Sequence, residues 1–160
     1  MHPSATPPQS FIVASSRDRA ERPGQIGPDT NTVKVSARDT GGAFSLFEYT
    51  GRAEGGPPLH VHPDQDEIFF VQEGRYLFQC GPDRSTLEAG DMIFLPRSVP
   101  HTFCQISPQG RLLYMYTPAG DMEAFFEALA SLEGPPLPAE AGALFARHGM
   151  EVVGPPLAAG

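Results

Sequence analysis

Three of the five histidines gather around one carboxylate-bearing stretch: His60 and His62 sit two apart, Asp66 and Glu67 follow at four and five positions past His62, and His101 lies further on. On a β-strand, residues two apart share a face, so His60 and His62 present both imidazoles to one side, close enough to converge on a single ion. Imidazole and carboxylate groups together form a borderline donor set that suits Fe, Mn, Ni, Co, Cu or Zn. Pro63 opposes a straight strand and the turn PDQD resets facing, so geometry alone admits either Asp66 or Glu67 beside the two imidazoles. Past the turn, Glu67, Phe69 and Val71 alternate onto one face, while His101, Phe103 and Gln105 share a face of another run. Phe69 and Phe103 would make the adjoining cavity apolar and fit for a small organic molecule.

Short strands must carry these residues. Between residue 40 and about Thr117 the chain repeats a β-rich run and then a turn: Leu59 to His62, Glu67 to Gln72, Arg75 to Cys80, Asp91 to Leu95, His101 to Gln105 and Arg111 to Tyr116. The separators are EGGPP, PDQD, EG, GPDR, PRSVP and SPQG, and with no helix between the runs they predict an all-β, double-sheet antiparallel barrel. Upstream, TVKVS and AFSLFEY alternate as strands around a turn at Asp39 to Gly42, and Phe11 to Ala14 reads as a further short strand. After Tyr116 the period changes. Met122, Phe125, Phe126, Leu129 and Leu132 recur at helical spacing, Gly134-Pro135-Pro136 stops that helix, and a second runs from about Ala139 to His148, closed by Gly149. The expected divisions are a flexible tail over 1–10, an N-terminal extension with strands over 11–39, the barrel over 40–118 and a C-terminal helical appendage over 119–160.

Composition excludes several classes of function. The chain has 160 residues, one domain's length, with 17 Gly and 18 Pro, which argues for frequent turns and against helical bundles. Eleven basic residues against nineteen acidic ones, with only Arg17, Arg19 and Arg22 loosely grouped, leave no electrostatic footprint for nucleic acid or anionic lipid. No apolar run approaches a membrane span, and the N-terminus lacks the features of a secretory signal, so the expectation is a cytoplasmic protein with no nucleic-acid or membrane partner. The two cysteines, Cys80 and Cys104, read as thiols rather than a disulfide framework.

His60-x-His62-x4-Glu67-x6-Gly74 resembles the first motif of the cupin superfamily, and Gly90-Asp91-x4-Pro96-x4-His101 resembles the second, with a 15-residue spacer between them. The resemblance covers about residues 40 to 118 and is nearest to small quercetin-dioxygenase-like cupins. It implies a jelly-roll barrel holding one divalent metal on His60, His62, Glu67 and His101, and so favours Glu67 over Asp66. Ser98 stands where the second motif usually has Gly, and Gln105 where it often has Asn. The function implied is a metal-dependent dioxygenase-like oxidoreductase on a small aromatic or enolisable substrate, with Glu67 as catalytic base and Phe69, Phe103 and Gln105 as substrate contacts. The competing readings are a non-catalytic small-molecule sensor and a metal-dependent sugar isomerase or epimerase. Dimers are common among such proteins, and Phe11 to Ala14 or Thr32 to Ser36 would be the runs to pair across a homodimer interface.

Overall fold

The computed structural model describes residues 9–160. The expected tail over 1–10 therefore lies mostly outside the described residues. The strands in chain order are β1 (Gln25–Ile26), β2 (Asp29–Val35), β3 (Ser45–Gly51), β4 (Pro58–Val61), β5 (Asp66–Glu73), β6 (Arg75–Cys80), β7 (Asp83–Glu88), β8 (Met92–Leu95), β9 (His101–Gln105), β10 (Gly110–Thr117) and β11 (Glu151–Pro156). Between β10 and β11 lie two helices, α1 (Met122–Ala130) and α2 (Pro138–Arg147). Two antiparallel sheets result, one in the order β1-β2-β3-β10-β5-β8 and one in the order β11-β4-β9-β6-β7. They form a jelly roll of two facing sheets rather than one ladder closed on itself by hydrogen bonds.

Alternation decides which side chains meet between the sheets. Along β10, Leu112, Tyr114 and Tyr116 are buried while the residues between them are partly exposed. Opposite them on β5 stand Val71, Phe69 and Glu67. The interior is strongly aromatic: Phe47, Phe69, Tyr76, Phe78, Tyr114 and Tyr116 are buried together, and each fully buried ring of this size stabilises the fold by about 1.5–3 kcal/mol. At Gly74 the chain leaves the first sheet for the second with φ +87°, and a Cβ there would lie 2.5 Å from the Gln109 carbonyl oxygen, so the turn admits only glycine. Ser98, in the place of a usual glycine, takes the same left-handed region at φ 66°. It is held there by its N–H donating to the His62 carbonyl at 2.8 Å and its hydroxyl donating to the Pro63 carbonyl.

The N-terminal extension clamps one side of the first sheet. Phe11 to Ala14 is not a strand; that segment docks through side-chain contacts, with the Lys34 ammonium donating to the carbonyls of Ala14 and Arg17, each at 2.8 Å. Asp18, buried, accepts the backbone N–H of Val33 at 2.8 Å, and the Arg19 N–H donates to the Val33 carbonyl. The chain's own residues thus occupy both backbone groups of Val33 on that side of β2.

The helices match the expected ones closely, and Gly149 follows α2 at φ 80°, as a helix-closing residue should. α1 is tied down on its polar face. Glu123 accepts the Ala37 N–H at 2.8 Å and the Ser36 hydroxyl at 3.1 Å, and Glu127 pairs with Arg22 of the extension. His148, at the end of α2, bonds Asp121 at the start of α1, Nδ1 to Oδ2, at 2.6 Å. Among the described residues, no helix is long and apolar enough to cross a membrane.

Candidate metal centre and its cavity

His60 on β4 stands directly opposite His101 on β9, both in the second sheet, and Glu67 faces them from β5 in the first. His62 follows β4 and is almost wholly buried. One ligand atom from each of the four lies within 4.8 Å of every other. Their separations include 2.8 Å between His101 Nε2 and Glu67 Oε2 and 3.5 Å between His62 Nε2 and the same oxygen. The ambiguity between Asp66 and Glu67 is resolved by facing: Glu67 points inward, whereas Asp66 points outward and takes three hydrogen bonds from Arg97. Arg97 is thereby committed to Asp66 and does not line the cavity.

Each ring is fixed by its other nitrogen. His60 Nδ1 lies 2.7 Å from the Pro58 carbonyl, His101 Nδ1 3.1 Å from the Val99 carbonyl, and His62 Nδ1 3.1 Å from Gln65 Oε1. All three partners are acceptors, so each Nδ1 donates a proton to its partner and each Nε2 is turned toward the centre. Gln65 can only accept from His62, because its own amide nitrogen donates to the carbonyls of Pro118 and Ala119. Sequence reasoning placed Gln65 in a solvated turn; it is buried and orients a ligand, and its lack of charge between two aspartates was the one signal available.

Electrostatics agree with a centre built for a cation. Burial, then the neighbouring His101, lowers the His60 imidazole to about 3, and burial lowers His62 as well. For Glu67 burial pushes the carboxyl up, but the His101 hydrogen bond and the surrounding imidazoles outweigh it and leave it below its ordinary value. His101 Nε2 lies 2.8 Å from Glu67 Oε2, and His62 Nε2 is buried with no hydrogen-bond partner. Three imidazoles and one carboxylate converging on one point form a donor set suited to a divalent metal.

The centre opens into a cavity of about 470 Å³ reached by His60, Glu67 and His101. Phe69 and Phe103 line it as expected, but Gln105 does not. Gln105 is fully buried elsewhere, accepting from the Tyr76 hydroxyl at 3.3 Å and donating to the carbonyls of Gly51 and Ser107. Strand alternation put it on the face of His101 correctly, but a side chain that long reaches backbone acceptors before it reaches the cavity. Tyr114 and Tyr116 also line the cavity, and burial followed by the Glu67 charge raises both phenols well above their ordinary value, keeping them neutral. The roof comes from the helices. Phe125 and Phe145 stack edge to face with centroids 4.9 Å apart, and the Phe145 ring lies 5.3 Å from that of His60. The helical appendage is therefore part of the site.

A family model described as a cupin domain matches residues 47–116. Over 119 residues the chain is 29% identical to quercetin 2,3-dioxygenase of Bacillus subtilis, covering 72% of this chain and 35% of that protein. A second relative, an uncharacterised protein of Streptomyces coelicolor, is 33% identical over 34% of this chain and 51% of its own length. This chain thus spans between about a third and a half of those relatives. Among solved structures, KdgF from Halomonas sp. superposes with a TM-score of 0.58 at 16% identity, over 72% of this chain and 98% of that one, a likeness of fold.

Proposed function

We propose, from the match of residues 47–116 to a cupin-domain model, that the chain is a metal-dependent dioxygenase-like oxidoreductase acting on a small aromatic or enolisable substrate. The observation that carries this reading is the junction of a centre of three imidazoles and one carboxylate with an aromatic cavity. Among the described residues no Lys or Arg lines that cavity, whereas His60, Glu67 and His101 enter it alongside Phe69, Phe103, Phe125 and Phe145. A sugar would call for convergent charged and polar donors, so the isomerase reading has less support.

His60, His62, Glu67 and His101 would hold the metal, which when bound supplies Lewis acidity and a site for dioxygen beside the substrate. The protein's own groups do the rest. Glu67, kept ionised by its imidazole neighbours, accepts the proton that an enol gives up on binding. Phe69 and Phe103 flank the substrate rings, and Phe125 with Phe145 keeps bulk water from the centre. The similarity to quercetin 2,3-dioxygenase supports this choice of chemistry.

Protein purified without chelator should contain about one transition metal per chain by elemental analysis, and a His60→Ala, His62→Ala double variant should lose it. Metal-loaded protein should consume oxygen with flavonols; a metal-free wild type would overturn the reading. Tight flavonol binding without oxygen uptake would instead establish the non-catalytic sensor.

A further inference from the structure

Among the described residues, few buried side-chain polar atoms lack a partner, and two of them belong to this site. One is His62 Nε2, which the metal centre explains. The other is Asn31 Nδ2, for which nothing in the metal centre accounts. Asn31, only 6% exposed, lines the same cavity from β2, and its Oδ1 accepts the Tyr114 hydroxyl at 2.7 Å. That bond fixes the amide with its oxygen used and its two N–H donors free.

The ladder places Asn31 far from the metal centre. Asn31 pairs with Tyr49, Tyr49 with Leu112, and Leu112 with Val71, four residues beyond Glu67 on β5. Asn31 is thus three strands across and four residues along from Glu67, roughly 14 Å in each direction between backbones. Nearby, the Tyr49 hydroxyl donates to Asp29 Oδ2 at 2.7 Å, and Asp29 Oδ1 takes the Arg52 N–H. Asn31 also borders a smaller cavity of about 250 Å³ between the N-terminal extension and α1.

We propose, on the basis of the functional reading above, that Asn31 is a specificity-determining residue whose Nδ2 donates to an acceptor oxygen at the end of the substrate remote from the metal. The substrate class follows: an elongated aromatic molecule, with chelating oxygens at one end and an ether, carbonyl or hydroxyl oxygen at the other. A buried donor left unpaired is costly, so the site discriminates against a ligand lacking that oxygen.

The test uses two probes, 3-hydroxyflavone and its 4′-methoxy analogue, which share the chelating end and differ in a remote acceptor. Absorbance titration of the metal-loaded full chain should show the methoxy compound binding about five- to tenfold more tightly. In Asn31→Asp, which keeps size and the Tyr114 contact but offers only acceptors, that preference should vanish or reverse at unchanged metal content. Asn31→Leu should abolish it too, and the isosteric variant keeps the test valid if the leucine variant fails to fold. Retention of the wild-type preference in Asn31→Asp would overturn the proposal alone, with Nδ2 then serving the smaller cavity. Failure of both probes to bind metal-loaded wild type would overturn the functional reading and this proposal with it.

Discussion

Gln65 holds His62 in register for the centre: its Oε1 lies 3.1 Å from His62 Nδ1, and its amide nitrogen is anchored on the carbonyls of Pro118 and Ala119. The segment that follows β10 is thereby coupled to a ligand on the opposite side of the chain. Gln65→Leu should lower metal affinity by about 10- to 100-fold with the four ligands intact, measured by competition against a chromophoric chelator. Gly120→Ala should do the same more weakly, because a Cβ there collides with the Gln65 amide. Unchanged affinity in both would show that His62 needs no support from Gln65.

Phe145 joins the roof to the centre, its ring 5.3 Å from His60 and 4.9 Å from Phe125. Phe145→Ala should cost about 3–5 kcal/mol in stability by urea titration, as for other buried aromatic truncations. It should also weaken binding of 3-hydroxyflavone while leaving metal content near one per chain. A loss of stability with no change in binding would make α2 a packing element and not a wall of the site.

Gln105 supports the strands behind the cavity. Three hydrogen bonds tie its amide to Tyr76, Gly51 and Ser107, and Gln105→Ala would leave those buried groups unpaired at a cost of about 1–3 kcal/mol. Flavonol affinity should stay unchanged. A selective loss of affinity at unaltered urea midpoint would return Gln105 to the substrate site.

These contrasts show what kind of information the sequence holds. His60 and His62 could be paired from period-two spacing, since strand alternation fixes facing whatever the tertiary context, whereas His101, on a separate strand, entered only through the motif resemblance. β7 escaped because its residues are nearly all exposed and polar, with only Leu87 buried, whereas the tail EVVGPPL reads as an extended, docked segment and is β11, its two prolines tolerated at a sheet edge. The stripe of Met122, Phe125 and Phe126 gave the helix and its buried face but not what the face covers. Nor could spacing reveal Gln65 or Asn31, whose roles depend on partners 53 and 83 residues away.

Asp18 is the least legible of these residues, a carboxylate among Arg17, Arg19 and Arg22 with no spacing signal for burial, yet it is buried beneath β2. Burial pushes its carboxyl up, but the N–H groups of Val33, Ala20 and Arg22 with the Arg22 guanidinium outweigh that and hold it below its ordinary value. Below the ordinary carboxylate pKa of about 4, the unfolded chain therefore binds a proton that the folded chain resists. The contribution of Asp18 is present in full above that pH and is lost as the pH falls through its lowered folded value. Metal-free wild type should exceed Asp18→Asn in stability by about 1–3 kcal/mol at pH 7, and the gap should narrow between pH 4 and pH 3. Urea midpoints for the two proteins across that range provide the check, and a gap that stays constant to pH 3 would mean that the anchoring of the extension does not depend on the charge of Asp18.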